Sequence, residues 1–251
     1  MELLENRSAI IFGGSGKLGS AIVKCLFKNG AKVAVHYFHN KTKAENLAKE
    51  LDPNGERAIA VYANGVEENT LEGAVATVKN KFGTLDIVVN TVHMPFDAKN
   101  VADSKLDDWN FHLDALKIHY LISKTVLPVM RKQQYGRIVF ISAALAVRYS
   151  AGCSMYTAIK SGLNGFTRTM AIEEAKNNIL VNMVAPGGIS DAMNQSGEDW
   201  DEMAKAFIAR CPLGRLATSK EVANTVLYFA SPLSDGITGQ ILYVCGGEVM
   251  L

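Results

Sequence analysis

The chain has 251 residues, 48% hydrophobic and 20% charged, which is enough for one large core and too little to need two. Its formal net charge is +1, with no strongly basic or acidic half, so nothing points to a nucleic-acid or membrane-surface partner. Cys25, Cys153, Cys211 and Cys245 show no CxxC spacing, and scattered thiols fit a reducing compartment. The opening MELLENRSAIIFGG does not read as a secretory signal, and no stretch is apolar for long enough to span a bilayer, so a cytoplasmic location is expected.

In chain order, short β-branched runs predict strands near Ser8–Phe12, Lys32–Tyr37, Ala58–Tyr62, Leu85–Asn90, Gly136–Ser142, Leu180–Val184 and Gln240–Cys245. The runs IVVN and RIVFIS are apolar nearly throughout, as strands covered on both faces should be. Helical patterns fill the gaps. One covers Leu18–Asn29 and stops at Gly30, and another covers Asn69–Phe82 and stops at Gly83, both suited to a C′ position. The alternation predicts an α/β fold: a single-domain, Rossmann-like, doubly wound parallel sheet of about seven strands with right-handed crossovers. The weakly periodic stretch Gly188–Asp201 reads as a mobile loop leading into a short helix at Trp200–Arg210. No repeat, low-complexity segment or linker interrupts the chain.

The segment AIIFGGSGKLGSAIV is a strand, a glycine-rich turn and a helix start. Gly13, Gly14, Gly16 and Gly19 permit a tight turn and close approach of the main chain to a pyrophosphate. The helix N-terminus adds amide donors and a partial positive charge. A GxGxxG alone is weak; after a first strand and before a helix it points to a dinucleotide. An NAD site of this geometry wants an acid at the end of the second strand, for the ribose 2′-hydroxyl. That strand instead ends His36-Tyr37-Phe38-His39-Asn40-Lys41, without a carboxylate. Lys17, Lys41 and Lys43 are nearby cations able to meet a 2′-phosphate, although Lys41 and Lys43 read better as ordinary solvated helix surface. NADP(H) is the expected cofactor, with NAD(H) not excluded.

Tyr156-Thr-Ala-Ile-Lys160 reads as the start of a helix running through Ala175. A spacing of four puts the two side chains on one face. A nearby ammonium stabilises tyrosinate, so Lys160 is expected to lower the Tyr156 pKa and make it a proton donor and acceptor.

These elements together resemble the short-chain dehydrogenase/reductase family over nearly the whole chain. The resemblance is carried by FGGSGKLG, LDIVVN, LPVM…GRIVFIS, YTAIK, ILVNMVAPGGI and GRLATSKEVANTVLYFASPLSDGITGQILYVCGG. It implies one dinucleotide-binding domain over residues 1–251, with a substrate lid around 188–212. It implies that Tyr156 moves the proton on the substrate oxygen, and that Lys160 binds the nicotinamide ribose and tunes Tyr156. Cofactor contacts are expected from Gly13, Ser15, Gly16, Lys17, Leu18, Gly19, Tyr37, Phe38, Asn64, Gly65, Asn90, Thr91, Tyr156, Lys160, Pro186, Gly187 and Ile189. A homo-oligomer, tetramer or dimer, is the expected assembly.

The departures from the family pattern are specific. The family serine thirteen residues before the tyrosine is Ala143, and adjacent Ser142 points to the opposite face unless the strand end bulges. The family asparagine in the helix before LPVM falls on Ala115 by a gapless count, or on Leu116 counted from Trp109. NNAG reads Asn90-Thr91-Val92-His93. The glycine spacing fits GxxGxxG, with Lys17 where the short enzymes carry glycine. The acid after the third strand is Asn64. The threonine after PGxI is Asp191, whose carboxylate would repel cofactor phosphates. His93, Ser142, Ser154 and Met193 are therefore the candidates for the substrate pocket, with His93 or Ser154 taking over substrate contact. His112 and His119, seven apart, could share a helix face, but no carboxylate or cysteine completes a metal set, so no metal is expected.

Two functions lead on the sequence, with a third, a cofactor-free interaction protein on the same scaffold, favoured only by Lys17 and Asp191 and opposed by the glycines. One is an NADP(H)-dependent oxidoreductase acting on an alcohol/ketone or related C=O or C=N group of a small molecule. The other is a diverged member without ordinary carbonyl reduction, which binds the cofactor as a structural or regulatory ligand or uses Tyr156 and Lys160 for proton transfer in elimination or isomerisation.

Overall fold

The computed structural model describes residues 2–93, 95, 97–192 and 198–251, with the backbone alone at 198–201 and 203. Seven strands form one parallel sheet: β1 Ser8–Phe12, β2 Lys32–Tyr37, β3 Ala58–Tyr62, β4 Ile87–Asn90, β5 Gly136–Ile141, β6 Ile179–Pro186 and β7 Ile241–Val244. Their spatial order is β3-β2-β1-β4-β5-β6-β7. The α-helices are α1 Lys17–Lys28, α2 Lys41–Leu51, α3 Glu68–Phe82, α4 Leu106–Gln133, α5 Leu145–Arg148, α6 Ser154–Glu174, α7 Glu198–Ile208 and α8 Ser219–Ala230. The expected doubly wound α/β fold is present. The expected strand at Leu180–Val184 runs further, to Pro186, because Pro186 still pairs with Val244 on β7.

Helices cover both faces, so the strands are apolar on both. One core packs Phe12, Val88, Ile138, Phe140 and Met183 against α3, α4 and α6. The other packs Ile11, Val35, Val89, Val139 and Val184 against α1, α2 and α8. Alternate residues of one strand thus serve opposite layers. Both glycine stops hold: Gly30 and Gly83 sit at φ of +98° and +86°, where a side chain would be strained.

The strand order reverses between β1 and β4, each of which leads into a loop at the same edge of the sheet. In open α/β sheets that crevice, outside the carboxyl ends of the strands, is where ligands bind.

Candidate active site

The glycine loop is built by backbone contact. Gly13 takes φ +79°, and a Cβ there would lie 2.4 Å from Thr91 Oγ1. Thr91 in turn donates from Oγ1 and from its amide to the Phe12 carbonyl, at 2.8 and 2.9 Å. A Cβ on Gly19 would lie 2.1 Å from the Gly13 carbonyl oxygen, so α1 can pack this close only through glycine. His36 completes the clamp. Its Nδ1 accepts from the Gly13 amide at 3.0 Å and its carbonyl accepts from the Ser15 amide at 3.3 Å. Its Nε2 therefore carries the proton and donates to the Ala63 carbonyl at 3.1 Å. Burial holds this imidazole neutral, with its pKa pushed down to about 4.

The start of α1 has no side-chain cap and no acidic residue in its first turn. Gly16, the N-cap, is exposed, and a Cβ on it would meet only the Gly13 carbonyl, at 3.2 Å. Exposed Lys17 and half-buried Ser15 and Leu18 surround this N-terminus. An uncapped helix start at the switch point fits the pyrophosphate of a nicotinamide dinucleotide. At the far ends of β2 and β3, Tyr37, Phe38 and Tyr62 form an aromatic edge with ring centroids 5.8 and 6.3 Å apart. Lys41 pairs with Glu45 at 3.7 Å, in line with its reading as ordinary helix surface.

The remaining cofactor candidates fall along the same sheet edge. Asn64 donates from Nδ2 to Glu67 Oε1 at 2.7 Å and shapes the turn into α3. Gly65 lies against α4, where a Cβ would be 3.0 Å from Ile118. Asn90 is fully buried and accepts from the Val92 amide at 3.0 Å. The Pro186 carbonyl accepts from Ala144 at 2.7 Å, and a Cβ on Gly187 would meet Cys245 Cβ at 2.9 Å. Ile189 bridges to Ala217.

Tyr156 and Lys160 lie on the first turns of α6 and line one small cavity with Ile159, with His112 and Ala115 of α4, and with His93. Lys160 Nζ lies 5.8 Å from the Tyr156 ring centroid and donates to the Ile141 carbonyl at 3.1 Å. Burial lowers the Lys160 pKa to about 8. The expectation that Lys160 lowers the Tyr156 pKa does not hold in the chain alone. Burial first, and the Cys153 thiol second, push Tyr156 up to about 12. The ammonium lies toward the ring and the Ile141 carbonyl, so desolvation of the phenol dominates. Near neutral pH Tyr156 is therefore protonated, and Lys160 is mostly so.

The substrate-pocket candidates separate. His93 lines the cavity, and burial of its ring together with the Lys160 charge lowers its pKa. Ser142 is buried beyond β5, its hydroxyl has no partner among the described residues, and it does not line this cavity. Ser154 is exposed at the first position of α6 and does not line it either. Met193 lies outside the described residues. Asp191, expected to repel cofactor phosphates, is used otherwise: its Oδ1 accepts from the Ser219 amide at 2.8 Å, at the first residue of α8. A carboxylate is favoured at a helix N-terminus, which explains the residue without the cofactor. Among the described residues no group of His, Cys, Asp and Glu could hold a metal.

Two histidines carry more of the site than their sequence pattern shows. His112 belongs to the cavity lining, and His119 is buried and feels the Lys160 charge. The clue was their spacing: positions 112, 115 and 119 recur on one helical face, and 115 is where the relay asparagine was expected.

A family model described as enoyl-(acyl carrier protein) reductase matches residues 15–248. The chain is 34% identical over 252 residues to a 3-oxoacyl-[acyl-carrier-protein] reductase of Synechocystis, covering 100% of both. It is 33% identical to the 3-oxoacyl-[acyl-carrier-protein] reductase FabG of Salmonella typhimurium, over 98% of this chain and 99% of the relative. It is 34% identical to the Vibrio harveyi protein of the same name, over 99% of each. With the parallel seven-stranded sheet, the switch-point glycine loop and the YxxxK helix already in place, these matches make the chain a member of the short-chain dehydrogenase/reductase family of oxidoreductases.

Proposed function

We propose that the chain is an NADP(H)-dependent reductase of a ketone on a small acyl substrate, a 3-oxoacyl thioester being the first candidate. The observation that carries this is the placing of Tyr156 and Lys160 on one cavity wall, at the sheet edge that holds the glycine loop. The names of the relatives supply the substrate class.

Each residue then has a task. Gly13, Ser15, Gly16, Lys17, Leu18 and Gly19 hold the pyrophosphate and, through Lys17, a 2′-phosphate. Tyr37 and Phe38 flank the adenosine, and Asn64 and Gly65 its base. Asn90, Thr91, Pro186, Gly187 and Ile189 border the nicotinamide half. The dinucleotide, when bound, supplies the hydride that reduces the carbonyl carbon. Tyr156, kept protonated by burial, donates its proton to the carbonyl oxygen as negative charge grows there. Lys160 sets a positive charge near that oxygen and near the phenolate that Tyr156 becomes as its proton leaves. His93 lines the same cavity as Tyr156 and takes the task left open by Ala143 by turning its single ring N–H from the Thr91 carbonyl to the substrate oxygen. Without that donor the reduction would be slower by about 10²–10³.

Absence of a carboxylate after β2 favours NADP(H) over NAD(H). A homo-oligomer is part of the same reading. Trp109, Phe111, Leu113 and Tyr120 on α4 and Ile172 on α6 leave large apolar surface exposed, and β7 ends the sheet as an open edge. Among the described residues no helix is long and apolar enough to cross a membrane, and the cytoplasm is the proposed compartment.

The deciding experiment follows NADPH and NADH absorbance with acetoacetyl-coenzyme A. The expected result is turnover with NADPH, weaker turnover with NADH, and loss of both in Tyr156→Phe. NADPH binding without turnover on any 3-oxoacyl thioester or simple ketone would overturn the reading in favour of cofactor binding or proton transfer alone.

A further inference from the structure

His112, Ala115 and His119 share one face of α4. The first two line the cavity beside Lys160, and His119 lies one turn further in, 1% exposed. Its Nδ1 lies 2.7 Å from the Ala115 carbonyl. A carbonyl only accepts, so Nδ1 carries the proton and Nε2 is a bare acceptor. That Nε2 is buried and has no partner among the described residues. The ring packs edge-on against Phe140, with centroids 5.1 Å apart. The next residue, Ile141, gives its carbonyl to Lys160 Nζ. Across the sheet Phe140 is paired with Asn90, whose buried Nδ2 has no partner among the described residues.

At the end of β5 there are thus an ammonium with donors to spare, an amide donor and an imidazole acceptor. Leaving buried polar atoms unmade costs about 1–3 kcal/mol each, and a buried water commonly satisfies about three of them. A water accepting from Lys160 Nζ and Asn90 Nδ2 and donating to His119 Nε2 would satisfy all three.

We propose that His119 is a positioning residue for Lys160: through one bridging water its Nε2 holds the ammonium beside Tyr156. The cavity side of α4, where the expected asparagine is Ala115, has moved this task one turn inward. Among the described residues the titratable groups around Lys160 are His93 from the loop after β4, His112 and His119 from α4, and Tyr156 on α6, with Cys153 acting on Tyr156. None is a carboxylate. Burial and the Lys160 charge keep His119 neutral, with a pKa near 3, so it remains an acceptor at every pH where the protein works. The catalytic consequence rests on the reading of Tyr156 and Lys160 as an acid/base pair; the contact itself does not.

The test titrates the lysine directly. In protein with 13C-labelled lysine, assigned through Lys160→Arg, the Lys160 Cε resonance is followed against pH in the wild type, His119→Phe and His119→Gln. The Lys160 midpoint should fall by about one pH unit in His119→Phe, a tenfold shift toward the neutral amine. It should recover in His119→Gln, whose Oε1 restores an acceptor. A lower Tm with an unmoved midpoint makes His119 a packing residue and overturns the proposal. Should His119→Phe fail to fold, the wild-type 15N spectrum of His119 decides. An Nδ1–H tautomer whose Nε2 shift follows the Lys160 titration supports the proposal; an Nε2–H tautomer, or an indifferent Nε2, overturns it. No arm uses substrate or cofactor, so failure of the ketone-reductase reading and failure of this one are separate results.

Discussion

The two halves of the site are built under different constraints. The glycine loop is fixed by backbone meeting backbone: a Cβ on Gly19 would lie 2.1 Å from the Gly13 carbonyl oxygen, and only glycine meets that condition. The wall around Tyr156 and Lys160 is fixed by side chains that hold and move protons, and several residue types can share such work. Accordingly glycines stand at 13, 16 and 19 of the loop, while alanines stand at 115 and 143 and histidines at 93, 112 and 119 surround the pair. Steric necessity leaves one residue choice; a polar network leaves many.

The comparison predicts losses of different kinds. The largest falls on the chemical wall. Tyr156→Phe should lower kcat by about 10²–10⁴ with NADPH affinity and Tm nearly unchanged, since only the proton donor is lost. A comparable fall in NADPH affinity, measured by fluorescence titration, would mean that Tyr156 builds the cofactor site as well. Gly19→Ala attacks the steric half. The added methyl should cost about 1–3 kcal/mol or more of stability and abolish NADPH binding, read by thermal shift with and without the cofactor. A Gly19→Ala protein that still gains Tm from NADPH would show that α1 can move away from Gly13.

The same contrast explains what was legible in the sequence. Strand and helix periods came through because both sheet faces are buried, and the glycine stops at 30 and 83 came through because positive φ admits few residues. The glycine turn was legible for the same reason. The role of Asp191 was not, because its partner, the start of α8, lies 28 residues on and is brought in only by the fold. The raised Tyr156 pKa was not legible either, because a spacing of four gives a shared face but not the depth of burial. His119 was visible as a position and not as a function, since its value lies in which nitrogen the Ala115 carbonyl leaves free.

A middle-sized effect should come from His36, where the two kinds of constraint meet. This histidine holds the glycine loop only as the neutral ring, because Nδ1 must accept from Gly13. Its folded pKa of about 4 lies below the ordinary 6.5, so the stabilisation is complete above about pH 6.5 and is lost as pH falls toward 4. The shift corresponds to something on the order of 3 kcal/mol, with buried His119 adding a loss of the same sign. His36→Leu should lower Tm at pH 7, through the unpartnered Gly13 amide, and should flatten the fall of Tm between pH 6.5 and 4. An unchanged acid slope in His36→Leu would move that sensitivity to other groups.

The smallest effect separates two readings of one carboxylate. If Asp191 serves α8, Asp191→Ala should cost about 1 kcal/mol, and Asp191→Asn, which keeps an acceptor for the Ser219 amide, a few tenths. Neither should alter NADPH affinity. If Asp191 instead repels cofactor phosphates, Asp191→Asn should bind NADPH several-fold more tightly, and more so at low salt, where charges are least screened. Paired thermal unfolding and NADPH titration of Asp191→Asn at low and physiological salt distinguish the two. The expected outcome is a small Tm change and no salt-dependent gain in affinity, because the carboxylate is already held by the helix start it caps.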